Sequence, residues 1–373
     1  KSKGLRIASA AIIFVFLIPY TASVYNGLSR LFGMAFGLPY EVCVIGMAVI
    51  TCLYVVLGGY MATVMNDFLQ GIVMLFGIVA VIAAVILNNG GFSEAITTLS
   101  QIPAEGSQMA GPFVSMFGPD LFNLLGVVVL TSLGTWGLPQ MVQKFYAIKS
   151  GPAVKQGAII STLFAFVVAG GSYFLGGFGR LYADKIEIGP TGIPVYDSII
   201  PTMLSTLPDI LIGIVIVLVL SASMSTLSSL VLTSSSTLTL DLLQGNVVKK
   251  MSEQSKLGWM RVLIVVFIIV SAALALVQYN SSITFIAQLM GISWGALAGA
   301  FLGPFLWGLY SGRISKAAVW CSFIVGVCLT SGNMVLTLMG TPLIASPINC
   351  GALAMLLSLI IVPVVSLFTK SVP

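Results

Sequence analysis

The feature that most constrains this chain is a repeated one. Ten apolar runs each approach or exceed the roughly 20 residues a helix needs to cross about 30 Å of hydrocarbon. They cover approximately residues 5–31, 40–63, 68–88, 118–143, 156–179, 205–240, 258–279, 282–311, 315–339 and 347–369. Transmembrane strands are short and alternate apolar with polar, whereas these runs are apolar all round, so the sequence predicts an all-α integral membrane protein with about ten transmembrane helices. Only 7% of the 373 residues are charged and 58% are hydrophobic, which cannot furnish a water-covered surface.

The few charges orient the chain. With Lys1 placed in the cytoplasm and the ten spans threaded alternately, only Arg30, Arg180 and Lys185 fall outside, and the other thirteen of sixteen basic residues fall inside. The same threading puts Glu41, Glu94, Glu105, Asp120, Asp184, Glu187, Asp197 and Asp209 outside, and Asp67, Asp241 and Glu253 inside. Both termini of this multi-pass chain are therefore expected on the cytoplasmic side of a cell membrane, plasma or inner. The outer connections 89–117 and 180–204 carry turn signals such as Asn88-Asn89-Gly90-Gly91 and Gly189-Pro190-Thr191-Gly192, and read as loops with a short surface helix each. The opening Lys-Ser-Lys-Gly-Leu-Arg has neither an initiator Met nor a signal-peptide pattern, and reads as a start partway through a longer protein.

Several functions are disfavoured at once. With no histidine there is no Ser-His-Asp or Cys-His nucleophile and no histidine metal site, so no enzyme and no cofactor are expected. Cys43, Cys52, Cys321, Cys328 and Cys350 stand singly, without metal-ligand spacing, and read as buried thiols. The net charge of +5 is spread between apolar spans and reports membrane orientation, not a nucleic-acid partner.

Three features carry chemistry. Residues 221–239 contain twelve Ser or Thr in nineteen positions. At helical spacing Ala222, Ser225, Thr226 and Ser229 share one face, and Ser225, Ser228 and Ser229 form an overlapping cluster. Neutral oxygens on one stripe suit a partly dehydrated Na⁺, but the same hydroxyls serve equally well at close helix contacts or bonded back to i−4 carbonyls. Asp67, at the cytoplasmic edge of the second span, either caps a helix or points inward; taken alone, its boundary position favours the cap. Gly134-Thr135-Trp136-Gly137-Leu138-Pro139 interrupts the fourth span, as a simple proline kink or as an unwound segment whose freed backbone groups could hold a solute. Asn26 and Gln288, polar within apolar spans, are candidate solute contacts and equally ordinary interhelical hydrogen bonders.

Three blocks in this order resemble the sodium:solute symporter family: Gly58-Gly59-Tyr60-Met61-Ala62 leading to Asn66-Asp67-Phe68-Leu69-Gln70, Gly137-Leu138-Pro139-Gln140 followed by Lys144-Phe145, and Met224-Ser225-Thr226-Leu227-Ser228-Ser229 continuing to Asp241. The resemblance implies a five-plus-five inverted-repeat transporter fold with a broken helix opening each repeat. Residues 1–88 would be the remainder of a truncated first repeat, three helices, and family members have about three further helices before the position of Lys1. Residues 89–117 would be an extracellular loop, 118–311 the second repeat, and 312–373 two additional helices. It further implies a sodium site at the Ala222 carbonyl and the Ser225 and Thr226 hydroxyls, and a second one drawing on Asp67, Ser225, Ser228 and Ser229. A solute would sit near Thr131, Thr135, Trp136 and Gly137, with Asn26 and Gln288 alongside. Members carry proline, monocarboxylates, pantothenate, sugars or sialic acid. Thr131 and Thr135 depart from the aromatics of proline-type members, and Gly134–Gln140 is closer to acetate-type members, with departures at Trp136 and Gln140. The implied activity is Na⁺-coupled symport of a monocarboxylate or small amino acid by alternating access. Proline, pantothenate or sugar symport, or an inactive membrane subunit, are the alternatives.

Overall fold

The structure is a computed structural model describing residues 2–104, 111–146, 148, 150–188, 192, 194–244, 247–248, 251–281, 286–311 and 313–369. Lys1, Glu105, Lys149, Gly189, Pro190, Thr191, Lys249, Lys250 and Lys370, used above for orientation and loop signals, lie outside the described residues, as do the side chains of Gly59-Tyr60-Met61-Ala62.

Among the described residues twelve α-helices follow in order: α1 (Lys3–Phe36), α2 (Tyr40–Asn88), α3 (Phe92–Gln101), α4 (Leu121–Gly137), α5 (Pro139–Phe145), α6 (Gly151–Gly177), α7 (Ile199–Ser205), α8 (Asp209–Thr237), α9 (Glu253–Ser281), α10 (Ile286–Tyr310), α11 (Lys316–Leu338) and α12 (Pro347–Phe368). Among the described residues nine helical stretches are long and apolar enough to cross a membrane, and ten when the bent pair α4–α5 is counted. Local chemistry sets many of the boundaries. Gly37 closes α1 in the left-handed conformation (φ 64°), and the side chains of Asp120, Ser150, Ser315 and Ser346 accept the free N–H groups of Asn123, Ala153, Ala318 and Asn349 at four helix starts.

The expected spans at 40–63 and 68–88 are found as two candidate spans, Tyr40–Gly58 and Val64–Asn88, within the one helical stretch α2. A straight helix of 49 residues would measure about 73 Å. Yet Tyr40 shares a cavity with Ser205, and Asn88 donates to the Thr206 hydroxyl (3.1 Å), so both ends of α2 reach the same end of the bundle and its two spans run in opposite directions. The expected span 205–240 is also re-bounded: α7 ends at Ser205, Pro208 precedes α8, and a π-helical turn (Leu238–Leu243) prolongs α8.

The best-buried helix is α10. Gly291, Gly295, Gly299 and Gly303 recur every fourth residue and bring its backbone against α11 and α12. A methyl at Gly295 would lie 2.5 Å from the Gly351 Cα, and one at Gly303 2.2 Å from the Ser358 carbonyl oxygen. The Ser322 hydroxyl joins the junction, within hydrogen-bonding distance of the Gly299 and Ala300 carbonyls and of Ser358 (2.8 Å). Ser293 donates to the Phe16 carbonyl and ties α10 to α1. The main core gathers Leu17, Tyr25, Val44, Leu227, Phe267, Leu297 and Met355 from helices distant in sequence. By contrast α6 buries only Leu175 and leaves Ile159, Ile160, Leu163 and Phe166 exposed, the surface expected of a helix bathed in hydrocarbon. The buried-thiol expectation holds for Cys43 and Cys350; Cys52 and Cys321 are half-buried, and Cys328 is exposed on α11.

Candidate functional site

At the Gly134–Pro139 interruption the chain bends by 49° between α4 and α5. The break is one residue long: Leu138 is extended (φ −81°, ψ 121°), its N–H still reaches the Gly134 carbonyl, and Pro139 starts α5. The interruption is therefore a sharp bend, and not the longer unwound stretch that the clustered glycines allowed. The glycines serve packing: a methyl on Gly137 would lie 2.9 Å from Ala298 and Leu302, and one on Gly134 3.0 Å from the Trp294 ring.

On α8, Ala222, Ser225, Thr226 and Ser229 are all half-buried, whereas Leu227, Ser228, Leu230 and Val231 behind them are buried. Thr226 Oγ1 donates to the Ala222 carbonyl (3.0 Å) and Ser228 Oγ to the Ser225 carbonyl (3.0 Å), so the oxygens already lie in touching pairs along one stripe. Farther down the helix Ser235, Ser236 and Thr239 bond back to Val231, Thr233 and Ser235, which accounts for the lower hydroxyls as helix chemistry.

Asp67 does not cap a helix: it lies inside α2, where all neighbouring backbone is helical. Its side chain is 21% exposed; Oδ2 lies 3.8 Å from Lys144 Nζ on α5, the Ser225 hydroxyl is a near neighbour of the carboxylate, and Oδ1 is buried with no hydrogen-bond partner among the described residues. Lys144 and Ser229 line one cavity of about 220 Å³ with Gln140, Gln143, Leu232, Thr233, Ser236 and Met260. Asp67 and Ser225 thus meet Lys144 at the junction of α2, α5 and α8, and Ser229 shares a cavity with Lys144. Ser228 faces Tyr54, whose phenol donates to the Met224 carbonyl (2.7 Å).

The expected solute residues do not converge in the same way. Thr131 and Thr135 bond back to Val127 and Ser132 on α4, Trp136 is 53% exposed rather than packed on a neighbour, and Gly137 is sealed against α10. Asn26 serves the interhelical role: it donates to Gln278 Oε1 (3.1 Å) and accepts from Arg30 Nε (2.9 Å). Gln288, in the first turn of α10, lies beside Thr330 and Asn333. Three residues went unassigned in the sequence. Lys144 appears there only within a motif; Tyr54 looks like one more aromatic in an apolar run; and Gln140, 2% exposed with both amide atoms unpartnered, differs little in sequence from an interfacial glutamine.

A second polar centre occupies the end of the bundle near Glu187. The Arg30 guanidinium lies 5.2 Å from the Tyr279 ring centroid and 5.9 Å from that of Tyr40, the two rings stack at 3.9 Å, and Glu187 Oε2 lies 3.9 Å from Arg30. Burial pushes the Asp197 carboxyl above its ordinary range, partly offset by Arg30 and by the Ile286 N–H that it accepts.

Bent helix, apolar spans and a hydroxyl-lined α8 make this a helical membrane bundle, and comparison with known proteins places it in a family. Residues 1–326 match the profile of the sodium:solute symporter family, and the chain belongs to that family. It is 28% identical to the sodium/proline symporter of Salmonella typhimurium (87% of this chain, 63% of that one) and 30% identical to the sodium/pantothenate symporter of Escherichia coli (86% and 64%). The chain therefore spans a little under two thirds of these relatives' lengths. Among solved structures it resembles the substrate-bound, outward-open state of a Na⁺-coupled sialic acid symporter, with a TM-score of 0.70 at 18% identity over 99% of this chain and 75% of that one.

Proposed function

We propose that the chain performs Na⁺-coupled symport of a small organic solute by alternating access, with Na⁺ held by the Ala222 carbonyl and the Ser225 and Thr226 hydroxyls. The observation that carries this reading is the half-open oxygen stripe on α8, beside the one-sided carboxylate of Asp67. A second ion would take Asp67, Ser225, Ser228 and Ser229, because a carboxylate joining hydroxyls offsets the cost of dehydrating a cation. The relatives, which carry proline and pantothenate, support a small solute. The Thr131 and Thr135 positions favour a monocarboxylate or small amino acid in contact with α4. Residues 118–311 form the second repeat in this scheme, 1–88 belong to the first, and 312–373 add two helices. Both termini face the cytoplasm: Arg6–Asp241 (2.6 Å) and Lys256–Glu253 (2.6 Å) pair at that end, and Arg30, Glu187 and Asp197 gather at the other.

The driving force suffices: about 100 mV supplies roughly 2.3 kcal/mol per entering charge and a tenfold sodium gradient about 1.4, together about 500-fold accumulation of a neutral solute. Uptake by proteoliposomes, with Na⁺ replaced by choline and a panel of short carboxylates and amino acids, tests the reading. Uptake that survives in choline rules out coupling to Na⁺; no uptake of any panel member in either salt would favour a membrane subunit without transport.

A further inference from the structure

Resting on the second-ion reading above, we infer that Lys144 is a tethered competitor for the coupling cation: its ammonium holds the Asp67 carboxylate until Na⁺ takes the place and frees α5. Three observations converge on this. The 3.8 Å Lys144–Asp67 separation is well beyond the roughly 2.8 Å of a tight charge-assisted hydrogen bond, so the pair is loose. Asp67 Oδ1, buried and unpartnered on the other side, leaves the carboxylate half-satisfied, which a small cation seated against Ser225 and Ser229 would correct. And Lys144 lies in the last turn of a seven-residue helix that begins at the Leu138 bend, so its release needs little beyond movement of that short helix.

The physical consequence is an exchange of charge partners. A carboxylate in a partly dry setting binds one cation strongly and a second weakly, since the first neutralises it. Sodium arriving at Asp67 thus weakens the hold on Lys144, and the ammonium, 48% exposed, turns toward the cavity it lines with Gln140 and Gln143. What is lost is the tie between α5 and α2, while the hydrogen bond from the Thr233 hydroxyl to Gln143 Oε1 (2.9 Å) still links α5 to α8. Ion occupancy is in this way converted into freedom of α5 to swing about Leu138. Lys144 is a positioning residue here; it need not touch the ion.

The test is the sodium concentration that half-saturates thermal stabilisation of the purified full chain, with choline keeping ionic strength constant. Lys144→Gln is expected to bind Na⁺ about fivefold more tightly, the upper range for losing a partly exposed competing pair. Lys144→Arg, which keeps the competitor, should stay within about twofold of the parent, a margin well inside that pair energy. Asp67→Asn is expected to weaken the response. If Asp67→Asn weakens it while Lys144→Gln leaves it unchanged or weaker, the competitor role is overturned and Asp67 remains a ligand. If Asp67→Asn changes nothing, the second-ion reading itself falls, and the competitor with it. Should Lys144→Gln fail to fold, amine-reactive labelling of Lys144 in the unaltered protein decides: faster labelling in Na⁺ than in choline, with other lysines unchanged, supports the exchange, and equal rates overturn it.

Discussion

Thr226 offers the sharpest separation of ion binding from folding. Among the described residues its Oγ1 donates only to the Ala222 carbonyl one turn back in the same helix, and the residue is half-buried. Thr226→Val keeps the branched shape and removes the hydroxyl. The Ala222 carbonyl keeps its helical backbone bond, so the cost to the fold should be at most about 1 kcal/mol. For the ion the same change deletes one oxygen ligand. A neutral oxygen donated to a charged group is worth about 1.5–3 kcal/mol, so half-saturation by Na⁺ should rise about 10- to 150-fold. Thr226→Ser keeps the oxygen and loses a methyl, and should shift it less than about threefold, the size of a partly buried methyl's contribution to helix packing. Sodium titration of solute uptake, with melting temperature measured alongside, reads both effects. If Val and Ser shift the sodium dependence equally, or Val leaves it within threefold of the parent, the Thr226 oxygen is no ligand and the hydroxyl stripe is helix chemistry.

Three further outcomes follow from the geometry. Gly351→Ala would place a methyl 2.6 Å from the Gly291 carbonyl oxygen and 2.9 Å from Leu130, so thermal unfolding should show a loss of about 2 kcal/mol or more, while Gly332→Ala, with open space around its Cβ, should lose none. The Asp197 carboxyl titrates above its ordinary value of 3.8 because of burial, so the folded state binds a proton the unfolded state releases; stability should fall as pH rises through that window, and Asp197→Asn should flatten the fall in melting temperature. Gln140→Met removes two buried, unpartnered amide atoms and should raise stability by about 1–3 kcal/mol, measured as melting temperature; a drop would mean that the amide has partners worth keeping.

The spans were legible because hydropathy is a sum over twenty residues, and no single substitution hides it. The bend was legible from Gly137 and Pro139, but its length was not: Leu138 alone absorbs the turn, because Pro139 is accepted at the first position of α5, where an N–H is not needed. Asp67 read as a cap because its setting is decided by α5 and α8, which approach from 70 and more residues away in the chain. The interhelical bond of Asn26 likewise depends on Gln278, 252 residues away in the chain, whereas its other partner Arg30 stands one turn on in the same helix. The Gly291-Gly295-Gly299-Gly303 repeat was, by contrast, written in plain four-residue spacing, and a search for close helix contacts would have found it.

That repeat also decides where motion can be measured. Backbone seated on backbone leaves α10 and α12 no side-chain slack in which to slide, so the two should travel together whatever the rest of the molecule does. A spectroscopic label on the exposed face of α12, for instance at Ile360, therefore gives a fixed origin, against which a second label near Tyr146 would report displacement of the short helix in absolute terms.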